Sequence, residues 1–217
     1  MKFKAIIFDC DGVLVDSEAM SMGILLQLGQ QIGFEMDQQE ALEQFSGVAL
    51  QQILAYMEKH GQQKFPADII EEYRRLTYEA FRQNIQAVPG IRALLQKMTL
   101  PRCVASNAPQ EKIRLNLGLL ELLPYFGEHI YSAYDVERWK PAPHLFLHAA
   151  EKLGFIPQEC AVVEDSLAGV QAAKAGGFTV FGYAHGHRAN ELAQAGAIVF
   201  DHMDKLPQLW ETYDPSL

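Results

Sequence analysis

Four short groups of polar residues stand where apolar runs end or between them, and their types suit phosphorus chemistry. Asp9-Cys10-Asp11-Gly12 follows the apolar run 5–8, Ser106-Asn107 follows the run 102–105, and Glu164-Asp165-Ser166 follows the run 160–163. Lys140-Pro141 lies between the second and third of these, in a loop-like stretch. Asp9 and Asp11 are two residues apart, so in an extended segment their carboxylates can face the same way. Glu164 and Asp165 would add negative charge that repels itself unless a cation joins the group. Hard oxygen donors of this kind suit Mg²⁺, which keeps several waters and also holds substrate phosphate. Lys140 can offset further phosphate charge. The Ser106 hydroxyl and the amides entering a helix near Pro109 can donate hydrogen bonds to phosphate oxygens. Carboxylates, metal, lysine and hydroxyl are together the parts that phosphoryl transfer needs.

Each group taken alone has a plainer reading. Asp9 and Asp11 suit a turn or a helix cap after a strand. Ser106 suits a helix N-cap ahead of Pro109. Lys140 suits a solvated surface, and Glu164-Asp165 would complement the dipole of a following helix. The set, and not any one member, points to a site.

The elements that would position these residues can be read from periodicity. Short, uniformly apolar runs at 5–8, 102–105, 160–163, 179–181 and 197–200 alternate with helical patterns. Leu145, Phe146, Ala149, Ala150 and Leu153 line one face of a helix that Gly154 ends. That alternation predicts an α/β fold, a Rossmann-like parallel sheet covered on both faces, with ligands at the carboxyl ends of its strands. Between the first and second runs the pattern is purely helical. Ile24, Leu25, Leu28 and Ile32 mark one helix, and Asp37 with Glu40 can form a capping box for a second. Leu50, Ile53, Leu54 and Met57 lead to Gly61, and Ile69, Tyr73 and Leu76 follow Pro66. The expected organisation is a catalytic core of residues 1–16 and 85–217 with a helical domain, 17–84, inserted in it. An ordinary crossover rarely needs so much chain.

Composition excludes other classes. The net charge of −9 disfavours non-specific nucleic-acid binding, which needs basic surface. Apolar runs fall short of the roughly 20 residues of a membrane span, and the N-terminal run is too short for a signal-peptide core. No nucleic-acid or membrane partner is expected, and the cytoplasm is the expected location. Cys10, Cys103 and Cys160 are an odd, scattered set that reads as reduced, packed thiols. His144 and His148 share helical spacing with no third ligand nearby, which reads as a solvated face. His185-Gly186-His187 reads as a surface loop.

With these residues in view, the chain resembles the haloacid dehalogenase superfamily. Asp9-x-Asp11-Gly12-Val13-Leu14-Val15-Asp16-Ser17-Glu18 is similar to its first signature, Ser106-Asn107 to its second, Lys140-Pro141 to its third and Glu164-Asp165-Ser166 to its fourth. The helical insert resembles the small cap of the β-phosphoglucomutase and phosphoglycolate phosphatase branch. The resemblance implies that Asp9 is a nucleophile forming an aspartyl-phosphate. It implies that Asp11 protonates the leaving oxygen and later deprotonates water. Mg²⁺ would be held by Asp9, the Asp11 backbone carbonyl and Asp165, with Glu164 nearby or bonding through water. Ser106, Asn107 and Lys140 would bind the phosphoryl group. Ser17, Glu18, Gly47 and Val48 would face the substrate from the cap side.

Within the superfamily, dehalogenases need no metal and lack an acid at the position of Asp11. Mutases of the branch carry a histidine in the first cap helix and an arginine in the cap loop; the matching places here are Ser21 and Val48-Ala49-Leu50. Hydrolysis of a small phosphorylated metabolite, a sugar phosphate or sugar-acid phosphate, is the expected reaction. The stretch 134–141 and Leu206-Pro207-Gln208-Leu209-Trp210 resemble 6-phosphogluconate phosphatase-like members. A sugar-phosphate mutase, and a non-catalytic phospho-ligand-binding or signalling protein, stay open as alternatives. A monomer or weak homodimer is expected.

Overall fold

The computed structural model describes residues 3–45, 48, 50–184 and 186–213. They fall into two compact units, one of 1–15 with 87–217 and the other of 16–86. The strands are β1 (Ala5–Phe8), β2 (Val15–Asp16), β3 (Gln86–Ala87), β4 (Arg102–Ser106), β5 (Ile130–Ser132), β6 (Cys160–Glu164), β7 (Thr179–Tyr183) and β8 (Ile198–Phe200). The helices are α1 (Glu18–Gln31), α2 (Gln38–Phe45), α3 (Leu50–His60), α4 (Ile69–Asn84), α5 (Ile91–Lys97), α6 (Gln110–Leu119), α7 (Ala133–Val136), α8 (His144–Leu153), α9 (Leu167–Ala175), α10 (Gly186–Gln194) and α11 (Leu206–Thr212).

The first unit is built on a six-stranded sheet of order β5-β4-β1-β6-β7-β8, parallel at every pairing. All four residues of β1 and all five of β6 are buried. Helices cover both faces of such a sheet, so no strand face needs polar side chains. One core layer joins Ile7, Cys103, Ala105 and Val162 to Leu145, Phe146 and Ala149 of α8 and to Val170 and Ala173 of α9. Gly154, at φ +81°, closes α8 where a side chain would be strained. The three cysteines are free thiols packed in this unit.

Register brings the strand ends level. Phe8 pairs with Val104 on one side and Val163 on the other. One step further, Asp9, Ala105 and Glu164 therefore come side by side. Consecutive strands depart on opposite sides of β1, the switch point where open α/β sheets leave a crevice.

The second unit is helical. Met22, Leu25, Ile32, Phe34, Phe45, Ile53, Leu54 and Met57 form its core, drawn from α1, α2, α3 and the connections between them. Asp37 caps α2 by accepting from the Gln39 and Glu40 amides at 2.8 and 3.3 Å. The chain passes between the units at Val15–Asp16 and Gln86–Ala87, and those two short strands pair with each other. Among the described residues no helix is long and apolar enough to cross a membrane.

Three local expectations are corrected. Strand β5 is absent from the sequence reading: its three residues carry no periodicity, and pairing to β4 makes them a strand. Ser106 does not cap α6; Pro109 occupies that place. Of the expected 185–187 loop, His185 lies outside the described residues, and α10 already begins at Gly186.

Candidate active site

The site is assembled on Lys140. Its backbone N–H donates to Asn107 Oδ1 at 2.9 Å, which ties the loop after α7 to the loop after β4. Its ammonium donates to Asp9 Oδ1 at 2.5 Å, to Glu164 Oε1 at 2.7 Å and to the Ala105 carbonyl at 2.9 Å. All three lysine donors are thus used, inside a group where Asp9, Lys140 and Glu164 are all buried. The Phe146 ring lies below the ammonium, 4.7 Å to its centroid.

Glu164 is committed on both oxygens. Oε1 takes Lys140, and Oε2 accepts from the Asp165 and Ser166 amides and from Ser166 Oγ at 3.0, 2.9 and 2.9 Å. Ser166 in turn caps α9 by accepting from Gly169 N at 3.1 Å. Gly169 is required there, since a Cβ would stand 1.9 Å from the Glu164 carboxyl. Gly12 does the same for Asp165. At φ +79° it takes a conformation side chains resist, and a Cβ would lie 2.0 Å from Asp165 Oδ2. The Asp9–Gly12 turn and the Glu164–Ser166 turn therefore close on each other through bare backbone.

Charge explains what this group can hold. Burial drives the Asp9 carboxyl up to about 7; Lys140 opposes that shift and Glu164 adds to it. Burial would depress Lys140, but Asp9 and Glu164 outweigh it and keep the ammonium charged above the usual lysine range. One cation thus serves two buried carboxylates, and Asp165 brings a third. Asp9, Glu164 and Asp165 each offer an oxygen within 4.8 Å of the others. Lys140 and Arg188, whose guanidinium lies 3.7 Å from Asp165 Oδ2, set two positive charges against these three carboxylates, and an all-oxygen donor set with that excess of negative charge fits a hard divalent cation such as Mg²⁺. Cys10, between the two aspartates, is no rival nucleophile: burial, then Asp11 and Asp9, push its thiol far above its ordinary range.

Ser106, buried at the end of β4, accepts from Ala108 N at 3.2 Å, so its hydroxyl proton points elsewhere. Asp9, Asp11, Ser106, Asn107, Lys140, Glu164 and Asp165 all belong to the sheet unit. Ser17, Glu18 and Val48 belong to the helical unit, and Gly47 lies outside the described residues. Trp139 flanks Lys140 in sequence but is largely exposed, stacked edge-on against Tyr134 at 5.3 Å.

Two basic residues at the carboxylates were not found from sequence. Lys112 of α6 reaches Asp11 Oδ2 at 2.8 Å, and Arg188 of α10 donates to the Asp165 carbonyl at 2.9 Å. Neither sits in a motif or at a strand end, so their helices had to be placed first. A brace of Gln110, Asp135 and Ser132 was likewise not found, because Ser132 ends β5, the strand that pairing to β4 creates. Gln110 Nε2 donates to the Ile130 carbonyl and Asp135 Oδ2 at 2.6 and 2.9 Å, and Ser132 Oγ donates to the Ala108 carbonyl at 2.7 Å.

Residues 3–177 match the family of haloacid dehalogenase-like hydrolases. The chain belongs to that family, and it is a hydrolase of the phosphatase kind. It is 34% identical to the 6-phosphogluconate phosphatase of Escherichia coli (strain K12), over 97% of this chain and 96% of that one. It is 29% identical to a phosphorylated carbohydrates phosphatase of Thermotoga maritima, over 90% and 92% of the two chains. Among solved structures, a haloacid dehalogenase-like protein of unknown function from Agrobacterium tumefaciens superposes with a TM-score of 0.88 at 34% identity, covering 96% and 98%. A family hydrolase from Deinococcus radiodurans, solved with bound phosphate and sodium, gives 0.83 at 31%, covering 97% and 96%.

Proposed function

We propose that this protein is a Mg²⁺-dependent phosphatase that hydrolyses a small sugar phosphate or sugar-acid phosphate through an aspartyl-phosphate on Asp9. The observation that carries the reading is the buried Lys140 held between Asp9 and Glu164, with Asp165 beside them. That arrangement presents a carboxylate nucleophile next to a fixed positive charge and an oxygen-lined cation site. A bound Mg²⁺ would supply charge neutralisation at the phosphate oxygens. Asp9, the Asp11 backbone carbonyl and Asp165 would hold it, with Glu164 clamping the turn behind.

In the first half-reaction an Asp9 carboxylate oxygen attacks phosphorus and the bond from phosphorus to the sugar oxygen breaks. Asp11 gives its proton to that oxygen, which leaves as an alcohol. In the second, water attacks the phosphorus of the aspartyl-phosphate while Asp11 takes its proton. The bond to Asp9 breaks, and inorganic phosphate departs. The Ser106 hydroxyl holds a phosphoryl oxygen, Lys140 offsets the charge of Asp9 and of the phosphoryl group through its fixed positive charge, and Asn107 keeps the Lys140 loop in place. The 16–86 unit is assigned the role of the cap that the family resemblance implies, with Ser17, Glu18, Gly47 and Val48 as its substrate residues. The substrate class draws support from the relatives named for 6-phosphogluconate and phosphorylated carbohydrates, and the phosphate and cation in the Deinococcus structure fit the same chemistry.

The test is phosphate release from 6-phosphogluconate, hexose and pentose phosphates and phosphoglycolate, with Mg²⁺, with chelator, and with Asp9→Asn protein. The expected result is turnover that chelator abolishes and that Asp9→Asn lowers by about four orders of magnitude or more. Folded protein that binds Mg²⁺ and releases no phosphate from any of them would overturn the proposal.

A further inference from the structure

Lys112 is an ordinary helix lysine by sequence, in Gln110-Glu111-Lys112, yet its ammonium stands 2.8 Å from Asp11 Oδ2. The side chains of Lys112 and Asp11 are only 20% and 31% exposed. The backbone under Lys112 is fixed. Gln110, at the start of α6, is tied to the Ile130 carbonyl and to Asp135, and the Ala108 carbonyl accepts from Ser132 Oγ. Asp11 by contrast sits on a turn, where Leu14 and Val15 amides close back on the Cys10 carbonyl. Its carboxyl is set by two side-chain torsions, and proton transfer needs it in one place. A partly exposed ion pair adds little to stability, so the useful product of this contact is orientation.

We propose that Lys112 is a positioning residue for Asp11, holding its carboxyl where it can exchange protons with the leaving oxygen and with water. This rests on the acid–base role assigned to Asp11 above. Lys112 touches neither phosphorus nor the oxygen atoms whose bonds change. It acts by removing wrong orientations of the group that does, and misplacement by about an ångström can cost on the order of 100-fold.

The test compares wild type, Lys112→Met and Lys112→Arg on an alkyl phosphate, glucose 6-phosphate, and on p-nitrophenyl phosphate. Phenolate leaves without a proton, so the first half-reaction of the aryl ester does not need Asp11 as an acid, whereas attack of water still needs it as a base. Lys112→Met is expected to lower kcat on the alkyl ester about 10- to 100-fold with KM within twofold. On the aryl ester the rapid p-nitrophenolate burst should persist at the wild-type rate while the steady rate falls. Lys112→Arg should recover most of the loss, and Mg²⁺ affinity by calorimetry and the thermal midpoint should not move. A raised KM with kcat kept would make Lys112 a substrate contact, and equal losses in burst and steady rate with a lowered midpoint would make it structural. Either result, or a Lys112→Met enzyme equal to wild type, overturns the proposal. Wild-type protein inactive on both esters and on the metabolite panel would instead remove the phosphatase reading itself.

Discussion

The two units handle charge in opposite ways. In the sheet unit a lysine and two carboxylates are buried together, Lys140 and Glu164 with several hydrogen-bond partners and Asp9 bonded to Lys140. In the helical unit the core is apolar, and the ion pairs, such as Arg75 with Glu72 and Glu79 or Lys64 with Glu58, lie on the surface. A buried charge is tolerated only where its partners are complete, and removing one partner strands the rest. A surface pair competes with water and salt and contributes little. Charge inside the sheet unit therefore marks chemistry, whereas charge on the helical unit marks solubility and helix register.

The largest test of that contrast is Lys140→Met, which leaves Asp9 and Glu164 facing each other without compensation. A loss of about 3–5 kcal/mol is expected by urea denaturation, together with loss of turnover. Equal stability in the two proteins would mean that the lysine is not what neutralises the carboxylates.

Gly169→Ala should follow. Alanine favours the helix by about 1 kcal/mol over glycine, but its Cβ would fall 1.9 Å from the Glu164 carboxyl. The expected net is a loss of about 1–3 kcal/mol and weaker Mg²⁺ binding by calorimetry, because Glu164 holds the turn that carries Asp165. A stabilised variant with unchanged affinity would show that the clamp has slack.

A smaller effect is expected from pH. The Asp9 carboxyl is raised from 3.8 to about 7 in the folded chain. The folded state then holds this proton more tightly than the unfolded one, so its contribution is present at acid pH and is lost as pH rises through about 4 to 7. In chelator, the stability of wild type relative to Asp9→Asn should decline across that window. As the proposed nucleophile, Asp9 must be ionised, so kcat/KM at low Mg²⁺ should rise towards pH 7 and its acid limb should move lower as Mg²⁺ saturates. A limb that ignores Mg²⁺ would separate Asp9 from the cation.

The smallest effect belongs to the other unit. Arg75→Ala breaks both of its surface pairs on α4, and the urea midpoint and kcat should stay within experimental scatter. A loss comparable to that of Lys140→Met would erase the distinction between the units.

Much of the fold is legible in the sequence alone. Strands that are apolar throughout, each ending in a polar group, signal a parallel sheet and where its crevice lies, because buried strands tolerate polar side chains only past their ends. Asp9, Ser106 and Asp165 could be picked out on that ground, and Leu25, Ile53, Leu54 and Met57 as the helical core by their spacing. These are local signals, carried by hydrophobic period and by neighbours in sequence. Only tertiary structure decided the rest. It made Ile130–Ser132 a strand by pairing it with β4, spent both Glu164 oxygens on Lys140 and the 165–166 turn, and placed Lys112 and Arg188 at the carboxylates. It also gave Gly169 its reason, which lies in Glu164 and not in the helix. In each case the partner is distant along the chain or fixed by a neighbouring element, and a lysine on a helix looks the same in sequence whether it meets water or an aspartate.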